Sequence, residues 1–393
     1  MKILHGSFLV IIILLCLSNV YTQDNSAPPL KKIWEFNNDE QFSHFIIRHN
    51  TLYYSTLNSF GAIDINTGSL LWKKQITEGY SGTYIASDER NLYVTTGDGR
   101  LIVYDINTFE QLWGRPIRTQ IGSMAIIGNK LICIINDGIL SAINTETHDL
   151  IWKADLKILA RSKRAPKHLR MSIEPIIKQN SLIISTYTGE IMALNPATGI
   201  FQWHNKLCEP DERCWATGMT VSENKLFFTR NTGGIVALHF HNGRVAWEFS
   251  LKYYTMAPVL SENNMVIMTA RNGYLYTFNA TDGRLLWLHN VSKHLYPMIS
   301  PPVVHKGIIY LTAEEKLFAF DGAGRQLWEW DSGENLDGHR IVMLRDGMIL
   351  SGTTAFYRFS TGQPAPLPPC SPEHDVLASF AWRCHYESRV SGT

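Results

Sequence analysis

No stretch of this 393-residue chain approaches the roughly 20 consecutive apolar residues that a bilayer-spanning helix needs. The apolar run at 8–17 has only ten residues and follows the basic Lys2. It reads as the core of a secretory signal peptide over residues 1–22, cleaved after Thr22. Cys16 could suggest a bacterial lipoprotein anchor, but the bulky Leu14 and Leu15 before it suit that signal poorly. The last four residues, Val390 to Thr393, are not an endoplasmic-reticulum retention tetrapeptide, so the mature chain is expected to be secreted. Charge is scarce as well: 18% of residues, with 36 Lys+Arg against 35 Asp+Glu. Removing the leader takes Lys2 away and leaves 35 against 35, a net charge of zero. A neutral body argues against a nucleic-acid binder and against binding a membrane with the whole surface. With 45% hydrophobic residues the chain is not disordered. No apolar stripe of helical period runs for a useful length. Gly-x-Ser-x-Gly, His-Glu-x-x-His and a phosphate-binding glycine loop are all missing.

Cysteine is sparse but patterned. Of six, five follow the leader. Cys208 with Cys214, and Cys370 with Cys384, are the natural disulfide pairs in an oxidising compartment. Cys133 lies in the apolar run Leu131-Ile132-Cys133-Ile134-Ile135 and reads as a small buried hydrophobe, although the odd count leaves room for an intermolecular bridge. No cysteine spacing suits zinc. His239 and His241 alternate on one strand, which is half a metal site at most and reads as a surface pair. The sequons at Asn279 and Asn290 are glycan acceptors if the chain is secreted by a eukaryote.

What the chain has in abundance is one repeated sentence. Trp34, Trp72, Trp113, Trp152, Trp203, Trp247, Trp287 and Trp328 are separated by 38, 41, 39, 51, 44, 40 and 41 residues. Before Trp72 stands Ala62-Ile-Asp64-Ile-Asn-Thr67-Gly68-Ser-Leu-Leu, and related strings precede the later tryptophans. The Asp or Asn opens a turn by bonding its own backbone. The glycine four residues before the tryptophan supplies a left-handed conformation. Phe109 and His148 replace that glycine in units two and three, so those turns must differ or be strained. The tryptophan offers an apolar plate to a neighbouring unit. A short β-rich run, such as Leu52-Tyr53-Tyr54 or Leu226-Phe227-Phe228, precedes each sentence, and hairpin dipeptides such as Asp98-Gly99 and Asn272-Gly273 join the two. With one more strand upstream, each unit of about 40 residues holds four strands, the dimension of a propeller blade.

This sentence resembles the tryptophan-docking motif of the PQQ-type β-propeller repeat, and the likeness runs over about residues 30–362. It implies an all-β protein: a single eight-bladed propeller of four-stranded antiparallel blades. The eighth sentence, Phe359-Ser360-Thr361-Gly362, lacks its tryptophan, while Trp34 has no turn before it. Ile33-Trp34-Glu35-Phe36 is therefore expected to complete the last blade, pairing both chain ends and leaving no free sheet edge. One branch of the family consists of quinoprotein dehydrogenases, which hold pyrroloquinoline quinone and calcium in the central funnel. Another uses the ring as a binding scaffold, as the BamB-like outer-membrane assembly factors do. The adjacent-cysteine disulfide typical of the quinoprotein alcohol dehydrogenases is missing, and Glu209, Asp211 and Glu212 read as a solvated acidic loop rather than calcium ligands.

Departures from the repeat point to one face. The long spacings follow Trp152 and Trp203, which places insertions at 153–172 and 204–218 on the side of the middle-strand hairpins. The first carries Lys157, Arg161, Lys163, Arg164, Lys167, His168 and Arg170 with no acid among them. Three readings stay open: a solvated loop, a site for an anionic glycan or acidic protein segment, and a processing site after Arg164, in the furin-like string Arg161-Ser162-Lys163-Arg164. The second is a loop stapled by Cys208 and Cys214, with Trp215 beside it as a contact aromatic or a packing residue. Residues 363–393 form a proline-rich tail whose Cys370 and Cys384 enclose an apolar run. The leading expectation is a secreted, non-enzymatic scaffold without a cofactor that binds protein or glycan on the loop-rich face. The alternatives are a small quinoprotein-like oxidoreductase with quinone and calcium, and a periplasmic BamB-like assembly factor.

Overall fold

The structure is a computed structural model. It describes residues 30–360 apart from 76–83, 97–98, 118–123, 136–137, 157–171, 208–213, 223, 257–258, 261–262, 295–296, 298, 334–335 and 337–339. Its strands form eight four-stranded antiparallel sheets, each one blade of an eight-bladed propeller. Blades 1 to 7 take consecutive strands within 42–75, 85–116, 124–155, 176–206, 216–249, 259–290 and 303–331. Blade 8 takes three strands from 341–360 and borrows its outer strand, Lys31–Asn37, from the other end of the chain. That strand runs antiparallel to Ala355–Ser360, from Lys31 opposite Ser360 to Asn37 opposite Ala355. The ring is closed as the unpaired Trp34 implied. Among the described residues no helix is long and apolar enough to cross a membrane.

Burial explains why the strands differ in composition. The second strand of each blade touches neighbouring blades on both faces, so Ser181–Ser185 and Met265–Ala270 are buried at every position. The outer strands face water on one side, and Gln111–Pro116 and Leu285–Asn290 alternate exposed and half-buried residues. Eight apolar clusters hold the ring together, each joining one blade to the next. Trp34, Phe45, Leu52, Tyr54 and Phe356 close blade 8 on blade 1, with the Phe45 and Phe356 rings 5.2 Å apart. Phe227, Ile235, Val266, Met268 and Phe278 join blade 5 to blade 6.

The repeated sentence is the device that docks one blade on the next. Its alanine lies directly across the strand pair from the tryptophan: Ala62 opposite Trp72, Ala142 opposite Trp152, Ala193 opposite Trp203. A β-bulge follows at once in each blade and turns the chain into the Asx turn. In blade 1, Asp64 Oδ1 accepts the N–H groups of Asn66 and Thr67, at 2.9 and 2.8 Å. Each indole then lies on the turn of the following blade. Trp152 covers Gly199, Trp203 covers Gly243 and Trp247 covers Gly283, so closely that a Cβ on these glycines would stand 2.4–2.5 Å from a ring carbon. Gly68, Gly199, Gly243, Gly283 and Gly324 all have φ between 67° and 83°. Phe109 and His148 take the same left-handed conformation, at φ 59° and 63°, and set their rings, tilted, against Trp72 and Trp113. The turn is kept in units two and three, and its residue is strained. Trp328 is buried against Tyr310, and its expected docking glycine, Gly362, lies outside the described residues.

Candidate functional site

Both insertions leave the ring on the face of the middle-strand hairpins. The residue that opens each one is tied to a hairpin of its own blade: Leu156 N–H to Gly138 O, and Leu207 N–H to Gly189 O, each at 2.9 Å. The described ends of the insertions turn inward to the central channel. Glu174, just before the inner strand of blade 4, points at His44 on the inner strand of blade 1, with 3.3 Å between Glu174 Oε1 and His44 Nε2. The hydrogen bond therefore crosses the channel. The Tyr84 ring of blade 2 lies 5.6 Å from the imidazole.

The charges in this cluster follow from burial and neighbours. Burial pulls the pKa of His44 below its usual value, as does the Arg340 charge, and the bond to Glu174 opposes them only in part. Burial alone would raise the Glu174 pKa, but the bond from His44 and the charges of Arg340 and His44 outweigh it, and the net shift is downward. A neutral imidazole facing a carboxylate must carry its hydrogen on Nε2 and donate it. Nδ1 is then a buried acceptor with no partner. Outside this bond, the mouth is aromatic. Tyr187 meets Trp215, the residue that closes the second insertion, in a tilted contact at 5.7 Å, and the Arg271 guanidinium lies over Tyr254 at 5.3 Å. Tyr187 is 46% exposed and acts electrostatically on both Tyr84 and Tyr254, so blades 2, 4 and 6 share this mouth.

A column of hydroxyls that the sequence reading missed positions these residues. Ser55, Thr95, Ser185, Thr229, Thr269, Thr312 and Ser351 occupy one place near the end of the second strand in seven blades, all buried. Thr95 accepts the Tyr84 N–H and Ser351 the Arg340 N–H, each at 3.0 Å, and Ser185 meets Ser172 at 2.9 Å. The column holds the entry residues of the inner strands at the channel mouth. Its sequence signal is a Ser or Thr three residues after the apolar start of the second strand in every blade but the third, where Ile134 stands.

Other predicted residues fall elsewhere. Lys157, Arg161, Lys163, Arg164, Lys167, His168, Arg170, Cys208, Cys370 and Cys384 lie outside the described residues, as does the leader. Cys214 is buried and is not a free thiol. Cys133 is free and fully buried, and burial pushes its pKa up to about 12. Its thiol should therefore resist iodoacetamide in the native protein and react at an ordinary rate in urea; rapid native labelling of Cys133, read by mass spectrometry, would contradict this packing. Asn279 Oδ1 accepts the N–H groups of Thr281 and Asp282, so this sequon asparagine already serves its turn. Asn290 is exposed at the end of an outer strand. His239 is exposed and stands where Asp64 stands in blade 1; its backbone makes the turn, Gly243 N–H to His239 O at 2.9 Å.

A quinone with calcium requires several converging oxygen donors. At the channel mouth the Glu174 carboxylate is already bonded to His44 and stands beside Arg340, and among the described residues no three of His, Cys, Asp or Glu gather as a metal set. These residues do not fit that group.

The family model described as "Outer membrane protein assembly factor BamB" matches residues 58–215 and 209–347. The chain belongs to this family. It is 28% identical over 193 residues to the BamB assembly factor of Legionella pneumophila, which covers 48% of each chain. The first curated relatives are matched over about half their length. Among solved structures, BamB from Moraxella catarrhalis superposes with a TM-score of 0.67 at 16% identity, covering 84% of this chain and 99% of that one. Quinohemoprotein alcohol dehydrogenase from Comamonas testosteroni gives 0.70 at 14% identity, covering 88% and 79%. At such identities the superpositions establish the shared propeller and leave function to the site.

Proposed function

We propose that the protein is a non-enzymatic, cofactor-free propeller that holds a protein partner in outer-membrane protein assembly, working from the face that carries the channel mouth. The observation that carries this reading is the family match, whose two segments together run from residue 58 to residue 347. It favours a bacterial periplasmic setting over the extracellular one, and glycans on Asn279 and Asn290 are not part of it. The periplasm is oxidising, so the pairing of Cys214 with Cys208 belongs to the same reading. The mouth supports it with the residues that recur at binding hot spots: the exposed Tyr187 against Trp215, and Arg271 on Tyr254.

A photo-crosslinking amino acid placed at 187 tests the proposal against one at Leu285, which is 38% exposed on the rim of blade 6. In cell-envelope extract from a Gram-negative bacterium, position 187 should trap a component of outer-membrane protein assembly that position 285 does not. Identical adducts from both positions, or none from 187, would overturn the reading.

A further inference from the structure

The seams of the ring are not equal. In four of them the docking indole reaches the neighbouring turn with its N–H as well as its face. Trp34 donates to Ile65 O at 2.9 Å, Trp152 to Pro196 O at 3.0 Å, Trp247 to Ala280 O at 3.1 Å and Trp287 to Gly322 O at 3.0 Å. Each of these indoles lies on a glycine, at a distance that leaves no room for a Cβ. The indole N–H groups of Trp72 and Trp113 are buried with no hydrogen-bond partner. These two rings meet Phe109 and His148, with centroids 4.5 and 4.6 Å apart. The cause is steric. A real side chain at the turn lifts the indole off the backbone, and its N–H loses the carbonyl that these four glycine seams provide. The same two residues hold the left-handed conformation that an L side chain adopts at a cost.

Both seams with a buried, unpartnered indole N–H flank one blade. Trp72 of blade 1 docks on the Phe109 turn of blade 2, and Trp113 of blade 2 docks on the His148 turn of blade 3. Blade 2 thus has an orphaned indole N–H and a strained turn on each flank. We infer that blade 2, residues 85–116, is the segment at which the closed ring opens first: a local opening unit built into the propeller. Aromatic contact at the two seams keeps it closed most of the time, and opening exposes the apolar blade faces that ring closure otherwise packs together.

Hydrogen exchange of the full chain, read by mass spectrometry, tests this. Amides in the two central strands of blade 2, Asn91–Thr95 and Arg100–Asp105, should exchange about 10- to 100-fold faster than those of Met265–Ala270 and Tyr274–Asn279 in blade 6. In Phe109→Gly/His148→Gly the difference should shrink by about tenfold, because the indoles can settle onto their carbonyls. Equal exchange in the wild-type blades would overturn the inference. Should the double variant fail to fold, a second comparison decides. Trp113→Phe deletes a donor without an acceptor, whereas Trp152→Phe deletes one side of a bond. Exchange of the blade 3/4 seam should quicken in the latter by about fivefold to tenfold more than that of the blade 2/3 seam in the former. Equal effects from these two changes would also overturn it.

Discussion

Gly199→Ala should destabilise the ring by about 3 kcal/mol, measured as a lowered urea midpoint, and two additive causes supply it. At φ +71° an L side chain costs about 1–2 kcal/mol. The new Cβ would also stand 2.5 Å from Trp152 Cε3 and 2.7 Å from Cδ2, so the indole must lift. Lifting breaks the 3.0 Å bond from Trp152 to Pro196 O and leaves a buried N–H unpaired, worth about 1–3 kcal/mol. Blades 2 and 3 live with a side chain at this place because a whole aromatic ring covers the displaced indole, and alanine brings the obstruction without the cover. Gly307→Ala separates the two causes. Its φ is +75°, but a Cβ there meets nothing within 4 Å, so only the backbone cost of about 1–2 kcal/mol remains. Equal losses at 199 and 307 would show that the tryptophan dock adds nothing to the stability of the seam.

The architecture was legible because a closed ring repeats each of its constraints in every blade. Tryptophan spacing, Asx turn and glycine recur with little variation, so blade number and the role of Lys31–Asn37 could be read without a structure. The channel mouth was not legible in the same way. His44, Tyr84, Glu174 and Arg340 come from four different blades, occupy no common place in the repeated sentence, and meet only because inner strands converge. The two insertions return to the ring at Glu174 and Trp215, beside the channel mouth. The expectation from sequence rested on the charges within the insertions and passed over the neighbouring residues that enter the channel. The hydroxyl column was visible in the sequence, but Ser and Thr in an apolar strand read as filler until each is seen holding the backbone or side chain of another strand.

Acid should loosen the channel mouth in two separable steps. The folded-state pKa of His44 lies below the usual 6.5, so just below pH 6.5 the unfolded chain binds a proton that the folded chain refuses. Stability from this residue is complete above pH 6.5 and falls as pH drops toward the folded value. Glu174 is also lowered, from 4.5, so its contribution is complete above pH 4.5 and is lost as pH falls through its folded value. His44→Gln should flatten the first step of urea stability against pH and spare the second. Glu174→Gln should abolish the second step and deepen the first, since the amide keeps an acceptor for the imidazole and removes the charge. In that variant the His44 pKa should fall further, because both the Glu174 bond and the Glu174 charge hold it up, and an NMR titration of the His44 ring proton would read this directly. Glu174→Ala goes further and leaves the buried Nε2 donor as orphaned as Nδ1, at a cost of about 1–3 kcal/mol at neutral pH. If His44 titrates at 6.5 in the wild type and does not move in Glu174→Gln, the imidazole is open to water and the tie across the channel does not exist. If it moves as expected, the mouth is a hydrogen-bonded crossing between blades 1 and 4, and the exposed Tyr187 with its half-buried partner Trp215 stands on a floor that this crossing holds in place.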